Sequence, residues 1–135
     1  MWLKEPCSVN DVVEFVGTYE LCSYIISGDD VLVVGGSMSH ATPALERQFD
    51  RMRIAPERVK YAVVTHSHFD HCGAIPYLRR RFPGIEVLGT RAAEEALAKP
   101  KVAAYNAQMN DVAAQQAGVY DQCLHLCDCP SALRI

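Results

Sequence analysis

The sequence predicts an α/β (α+β) fold in which helices pack on a mixed β-sheet. Short apolar runs rich in β-branched residues open the chain, and similar runs return near its middle, where segments with helical spacing alternate with them and then follow. A β-meander followed by alternating strands and helices is typical of layered folds. The length of 135 residues predicts a single domain over 1–135.

The opening meander is predicted from three apolar runs, at 12–16, 21–26 and 31–34, with a Ser-Gly-Asp-Asp turn before the third. Gly35 and Gly36 end the third strand. A helix is then expected to be capped by Thr42, to begin at Pro43 and to extend through Met52.

The second half is predicted to alternate strands and helices. Residues 61–65 form a short apolar run, as expected of a strand buried on both faces. The elements expected after it are a helix at 73–81 with Pro76 in its first turn, a strand at 85–88, a helix from its cap Thr90 through 98, and a helix at 101–116 ended by Gly118. Residues 121–135 show no clear helical period, and the chain stops without an obvious terminating element. The sequence therefore predicts a truncated domain.

Composition excludes several classes of function. Thirteen basic and sixteen acidic residues give a formal charge of −3 without a basic stripe, so nucleic-acid binding is not expected. No apolar run is long enough to span a membrane, and the N-terminus lacks the features of a signal peptide. We therefore expect a cytoplasmic protein with reduced cysteines, of which Cys7, Cys22 and Cys72 are predicted to be buried.

The residues that carry chemistry follow the strand at 61–65. His66 and His68 are two positions apart, so an extended segment points both imidazoles to the same side, where they can hold one metal ion. Asp70 and His71 follow at the turn into a helix and can serve a second ion. Four ligands within six residues favour a dinuclear centre, in which a bridging water can attack a carbonyl, ester, thioester or phosphoester.

Residues 65–73, Thr-His-Ser-His-Phe-Asp-His-Cys-Gly, resemble the metal-binding motif of the metallo-β-lactamase superfamily, and a looser resemblance extends from about Val12 to Leu88. The resemblance implies one half of a four-layered αβ/βα sandwich with two metals, usually zinc. It implies His66 and His68 as ligands of the first metal and Asp70 and His71 as ligands of the second. Asp70 would also orient the nucleophilic water or relay a proton. The other family ligands would lie mostly beyond residue 135.

This resemblance implies a zinc-dependent hydrolase of a small-molecule substrate that the sequence does not identify. The chain would be the N-terminal half, so it would lack a C-terminal half and would self-associate unless its tail covers the exposed sheet. The family's Asp-x-Gly turn after the third strand is replaced here by Val34-Gly35-Gly36, which leaves the metal loop without that supporting carboxylate.

Two alternative functions stay open at this stage. A diiron redox module related to flavodiiron proteins would use the same fold with iron, although those proteins typically have glutamate where this chain has His68. A non-catalytic remnant is the other, because catalytic zinc normally has three protein ligands and this chain offers two for each ion.

Other cysteines and histidines are weaker candidates. Alternating residues near the C-terminus would share one face of an extended strand and could bind a soft metal, although a buried strand explains them equally: Cys123, His125, Cys127 and Cys129. His125 is also the single histidine after the motif and thus a weak candidate for the first metal. His40 is expected in a loop near the cleft, and Cys72 is a redox candidate beside the metals.

Overall fold

Residues 2–127 are described in a computed structural model of the chain. Their strands form one six-stranded sheet whose spatial order follows the sequence. The strands are β1 (Cys7–Ser8), β2 (Val13–Gly17), β3 (Cys22–Ser27), β4 (Val31–Val34), β5 (Val59–Val64) and β6 (Glu86–Gly89). The first four strands pair antiparallel, whereas β5 and β6 add in parallel. The predicted mixed sheet is therefore confirmed, with β1 as an additional edge strand.

Five α-helices connect and follow the strands: α1 (Thr42–Met52), α2 (Ile75–Arg81), α3 (Arg91–Leu97), α4 (Pro100–Gln116) and α5 (Tyr120–Leu126). Apolar side chains of the first two helices pack with one face of the sheet, and the core centres on Val33, Ala62, Phe49 and Leu78, each at most 2% exposed. Burial of these side chains supplies the main stabilisation of the fold.

Helix starts agree with sequence signals in part. Thr90 caps α3, because its hydroxyl oxygen accepts a hydrogen bond from the Ala93 N–H at 3.2 Å. The cap predicted at Thr42 is wrong. Ala41 is the cap residue, and Thr42 lies in the first turn of α1, where its hydroxyl donates to the carbonyl of Ser39 at 2.7 Å. A threonine hydroxyl can bond to a carbonyl three residues back inside a helical turn, so a threonine before a proline does not by itself mark the cap.

The C-terminal segment departs most from the sequence prediction. Residues 120–126 form α5, although the sequence predicts no helix there. Cys123 and Cys127 are four residues apart, so the helix turns both toward the interior, whereas the side chain of His125 is exposed. The expectation that these residues share one face of a strand is wrong within the described chain, and Cys129 lies outside the described residues.

The strand at Val59–Val64 is not buried on both faces as predicted, because one face of the whole sheet is open. Two rows of side chains run across five strands on this open face. The first row is Val13, Ile26, Leu32, Tyr61 and Glu86, and the second is Phe15, Tyr24, Val34, Val63 and Leu88. Five of the ten are more than a third exposed, namely the acidic Glu86 and the apolar Tyr24, Ile26, Tyr61 and Leu88, whereas Phe15 is buried. An apolar surface of this extent on a small domain favours contact with another surface.

We expect the chain to self-associate through this open face. Size-exclusion chromatography with light scattering at several concentrations should give species larger than a monomer, because association removes the two apolar rows from water. Ile26→Lys should shift the distribution to monomer. Val112→Lys is the matched control, since Val112 is exposed to a similar extent (37%, against 39% for Ile26) but lies on α4. A wild-type chain that is monomeric at every concentration would contradict this prediction.

Candidate metal centre

The predicted ligands lie in the loop that follows β5, at residues 65–74, which we call the ligand loop. The strand ends at Val64, and a short 3-10 turn at Phe69–His71 reverses the chain before α2. This turn brings the imidazole of His71 back to that of His66, with ring centroids 4.0 Å apart. The ring of His68 lies 4.8 Å from that of His66. Three of the four predicted ligands are therefore clustered at the carboxyl end of a parallel strand.

The electrostatics of the loop favour the neutral, metal-binding form of His66. Burial lowers the pKa of His66, and the neighbouring rings of His71 and His68 lower it further, while Asp70 opposes them. A neutral imidazole has the free lone pair that a metal requires. The Oγ1 atom of Thr65 lies 3.1 Å from Nδ1 of His66, so a proton on Nδ1 would bond to Thr65 and leave Nε2 free.

The carboxylate of Asp70 is the fourth predicted metal ligand. Its Oδ2 atom is 3.3 Å from Nε2 of His71, and both side chains are partly exposed. Three imidazole nitrogens and a carboxylate match the ligand types that zinc prefers. Within residues 2–127, however, no three His, Cys, Asp or Glu side chains are arranged so that they could already hold one ion. The donor chemistry therefore fits zinc, but the side chains would have to reorient to bind it.

The loop after β4 supports the back of the ligand loop. The N–H of Gly36 donates to the carbonyl of His71 at 3.0 Å, and that of Gly73 donates to the carbonyl of Ser37 at 2.8 Å. A third bond of 2.7 Å joins the Ala74 N–H to the carbonyl of Gly36. Gly36 has to be glycine here, because a Cβ atom would collide with the carbonyl of His71 and lie 2.7 Å from the Cα atom of Cys72.

Cys72 is a structural thiol. The side chain is fully buried, and its Sγ donates to the carbonyl of His68 at 3.1 Å. Burial raises the pKa of the thiol to about 11. The prediction that Cys72 is buried is confirmed, Cys7 is partly buried, and the prediction for Cys22 is wrong because its side chain faces solvent on the open face of the sheet.

We expect iodoacetamide at mildly alkaline pH to alkylate Cys22 and to leave Cys72 unmodified until the chain unfolds, because the thiolate is the reactive form. Peptide mass spectrometry would measure both sites. Equal labelling of both cysteines in the folded chain would contradict this prediction.

The buried thiol also makes stability depend on pH. The folded Cys72 thiol stays protonated above the pH at which an unfolded thiol ionises. The stability that it contributes should therefore be complete at lower pH and decrease as the pH rises toward 11.

The secondary candidates His125 and His40 have different surroundings. His125 lines a cavity on α5 together with Glu46, Tyr77 and Arg81, so its weak assignment as a ligand of the first metal has no support in the described chain. His40 belongs to the 3-10 turn Ser39–Ala41 and is half-buried. Burial lowers its pKa, and its Nδ1 atom has no hydrogen-bond partner within the described residues.

The sequence analysis missed two buried asparagines on α4. Asn106 and Asn110 are 2% and 0% exposed, and both donate hydrogen bonds to main-chain carbonyls of the ligand loop. Their spacing of four residues in an alanine-rich helix was the available signal, because it places two amides on the same helix face. The main chain of the ligand loop is therefore held in part by side chains of α4.

The fold is similar to solved metallo-β-lactamases. The subclass B3 enzyme MEM-A1, isolated from a soil metagenome library, is 28% identical with a TM-score of 0.62, and the match covers 69% of this chain and 35% of that one. A metallo-β-lactamase of Cronobacter sakazakii with a HARLDQ motif is 23% identical with a TM-score of 0.63, covering 72% and 38% of the two chains. The metallo-β-lactamase SMB-1 bound to 2-mercaptoethanesulfonate is 25% identical with a TM-score of 0.62, and the match covers 70% of this chain and 36% of that one.

These matches involve only part of each relative, since the chain spans little more than a third of the length of the three structures. The sequence profile of the metallo-β-lactamase superfamily matches residues 17–118, which is most of the chain and includes β3 to α4 together with the whole histidine cluster. The chain belongs to the metallo-β-lactamase superfamily.

Proposed function

We propose that this chain is part of a metal-dependent hydrolase that uses zinc at the histidine cluster. The observation that carries the proposal is that the rings of His68 and His71 both lie within 5 Å of the His66 ring, with the carboxylate of Asp70 next to His71. The neighbouring rings of His71 and His68 add to the burial that lowers the pKa of His66, which favours the neutral form that a metal requires. The ligand types and the family membership support zinc over softer or harder metals.

His66 and His68 would hold one zinc ion, and Asp70 with His71 would hold a second. Bound zinc would supply a Lewis acid and a water with a pKa near neutrality. The protein would contribute orientation and proton transfer. The Asp70 carboxylate is partly exposed and accepts hydrogen bonds, so it can orient a water and take its proton. We propose that the substrate is a small molecule with a hydrolysable carbonyl or phosphoester bond.

Within residues 2–127 the proposed site is incomplete, because two protein ligands for each zinc ion are fewer than catalytic sites normally have. We propose that residues 1–135 correspond to the N-terminal half of the family's sandwich, and that a second half or a second copy supplies the other ligands. The open sheet face supports this arrangement. We also propose a cytoplasmic location, supported by five described cysteines that form no disulfide with one another. No helix within 2–127 is long and apolar enough to cross a membrane.

A hydrolysis assay tests the proposal directly. The chain, stripped with a chelator and reloaded with zinc, is given a β-lactam, a thioester and a phosphodiester with chromogenic leaving groups. With a second copy of the chain completing the site, we expect zinc-dependent turnover of at least one of them, lowered by about 10²–10⁴-fold in Asp70→Asn because the carboxylate is lost as a zinc ligand and as a proton acceptor. Asp121→Asn, an exposed change on α5, is the matched control. Zinc-loaded protein without turnover on any of the three would overturn hydrolysis by this chain.

A further inference from the structure

Two buried amides on α4 cross the back of the ligand loop. Asn106 and Asn110 lie one helical turn apart on the same face of the helix, and both are almost completely shielded from solvent. A buried amide destabilises a protein unless its donors and acceptors are paired. The partners of these two side chains therefore indicate why polar residues occupy positions where apolar ones would pack more simply.

Both side chains bind main-chain groups of the ligand loop. The Nδ2 group of Asn106 donates to the carbonyl of Ser67 at 3.0 Å, and that of Asn110 donates to the carbonyl of Phe69 at 3.1 Å. Ser67 lies between His66 and His68, and Phe69 lies between His68 and Asp70. The two amides thus hold the main chain at alternate positions, on either side of His68.

Asn110 also ties this loop to the loop that follows β4. Its Oδ1 atom accepts from the Ser39 N–H at 2.8 Å, and the Ser39 hydroxyl donates to the main-chain carbonyl of Asn110 at 3.1 Å. Gly73 allows this close approach, because a Cβ atom at that position would collide with the Asn110 amide. One asparagine therefore connects α4, the ligand loop and the loop after β4.

We infer that Asn106 and Asn110 are positioning residues that fix the main chain of the ligand loop so that its side chains can bind metal. This inference rests on the proposed metal site and adds to it the elements that orient it. Groups that orient metal ligands without touching the metal typically change metal affinity by 10–100-fold when they are altered. Both amides bond to the main chain of the ligand loop, so they act through the metal ligands and not on the substrate.

The test replaces each amide by a carboxylate of the same shape. Asn106→Asp and Asn110→Asp exchange the Nδ2 donor for an acceptor that repels the loop carbonyl. We expect zinc affinity, measured by competition with a chromogenic chelator, to fall by about 10–100-fold. We also expect the visible absorption of the cobalt-loaded protein to change, since that spectrum reports ligand geometry. Gln108→Glu is the matched control, because Gln108 lies between the two on α4 but is exposed.

A second variant and a second measurement cover the case in which a carboxylate prevents folding. Asn106→Ala removes the amide that donates to the Ser67 carbonyl and, at 3.6 Å, to the Sγ atom of Cys72, and it leaves the Asn110 side-chain bonds in place. Hydrogen exchange of the metal-free chain should then show faster exchange at residues 66–71, with the slowest core amides unchanged. Folded variants with wild-type zinc affinity, cobalt spectrum and loop exchange would overturn the inference.

The two proposals fail in different ways. If the wild-type chain binds neither zinc nor cobalt, the proposed metal function is overturned, and hydrogen exchange still decides whether α4 orders the loop. If the wild-type chain binds zinc and the asparagine variants bind it equally well, the metal function stands and the positioning role is overturned.

Discussion

His66→Ala and His68→Ala are each expected to abolish most of the zinc that copurifies with the chain. Each variant leaves a single protein ligand for the first ion, and one imidazole does not compete with the hydration of zinc. The loss should exceed the roughly 10–100-fold reduction in affinity that outer residues of metal sites produce. Elemental analysis of metal per chain, after purification without chelators, measures it.

The control for both variants is His125→Ala. His125 is exposed on α5 and lines a cavity with Glu46 and Arg81, away from the cluster, so its removal should leave the zinc content unchanged. Circular dichroism would establish that all three variants are folded. Equal zinc content in wild type and in His66→Ala would contradict the assignment of the cluster as the metal centre.

Gly36→Ala is expected to destabilise the metal-free chain by about 2–3 kcal/mol, at the upper end of the cost of inserting one methyl group into a packed site. The added Cβ would meet main-chain atoms of His71 and Cys72, which cannot rotate away as a side chain could. Urea denaturation, followed by circular dichroism, gives the change in the free energy of unfolding. The variant should also bind zinc more weakly, since the displaced carbonyl belongs to a predicted ligand.

Gly84→Ala is the matched control, because nothing lies within 4 Å of a Cβ atom at that position. It should change the free energy of unfolding by less than about 0.5 kcal/mol. If both variants unfold at the same urea concentration, the close contact between the loop after β4 and the ligand loop does not contribute to stability.

Elements that depend on local pattern could be predicted from the sequence. The strand Val31–Val34 has the predicted bounds, and Thr90 caps its helix as expected, because alternation, turn residues and capping act over a few neighbouring positions. The grouping of the histidine rings was predictable for the same reason, since His66, His68 and His71 lie within six positions of the chain.

Predictions that required distant partners were less successful. The seven residues of α5 carry weak helical signals, and helices this short depend on tertiary packing for their stability. Here the buried thiol of Cys123 packs on the start of α1 and donates to the carbonyl of Ser39 at 3.1 Å, a contact 84 positions away in sequence. The exposure of Cys22 likewise depends on which face of the sheet the helices cover.

The sequence by itself determined the order of most elements, the residue types of the candidate metal centre and the superfamily, because each is encoded in contiguous residues. Only the tertiary structure decided what holds the ligand loop. Asn110 is 41 positions from Phe69 and 71 positions from Ser39, yet its side chain bonds to both. Hydrogen bonds over such separations form only after α4 has packed on these two loops, so the sequence shows two amides on one helix face but not the groups to which they bond.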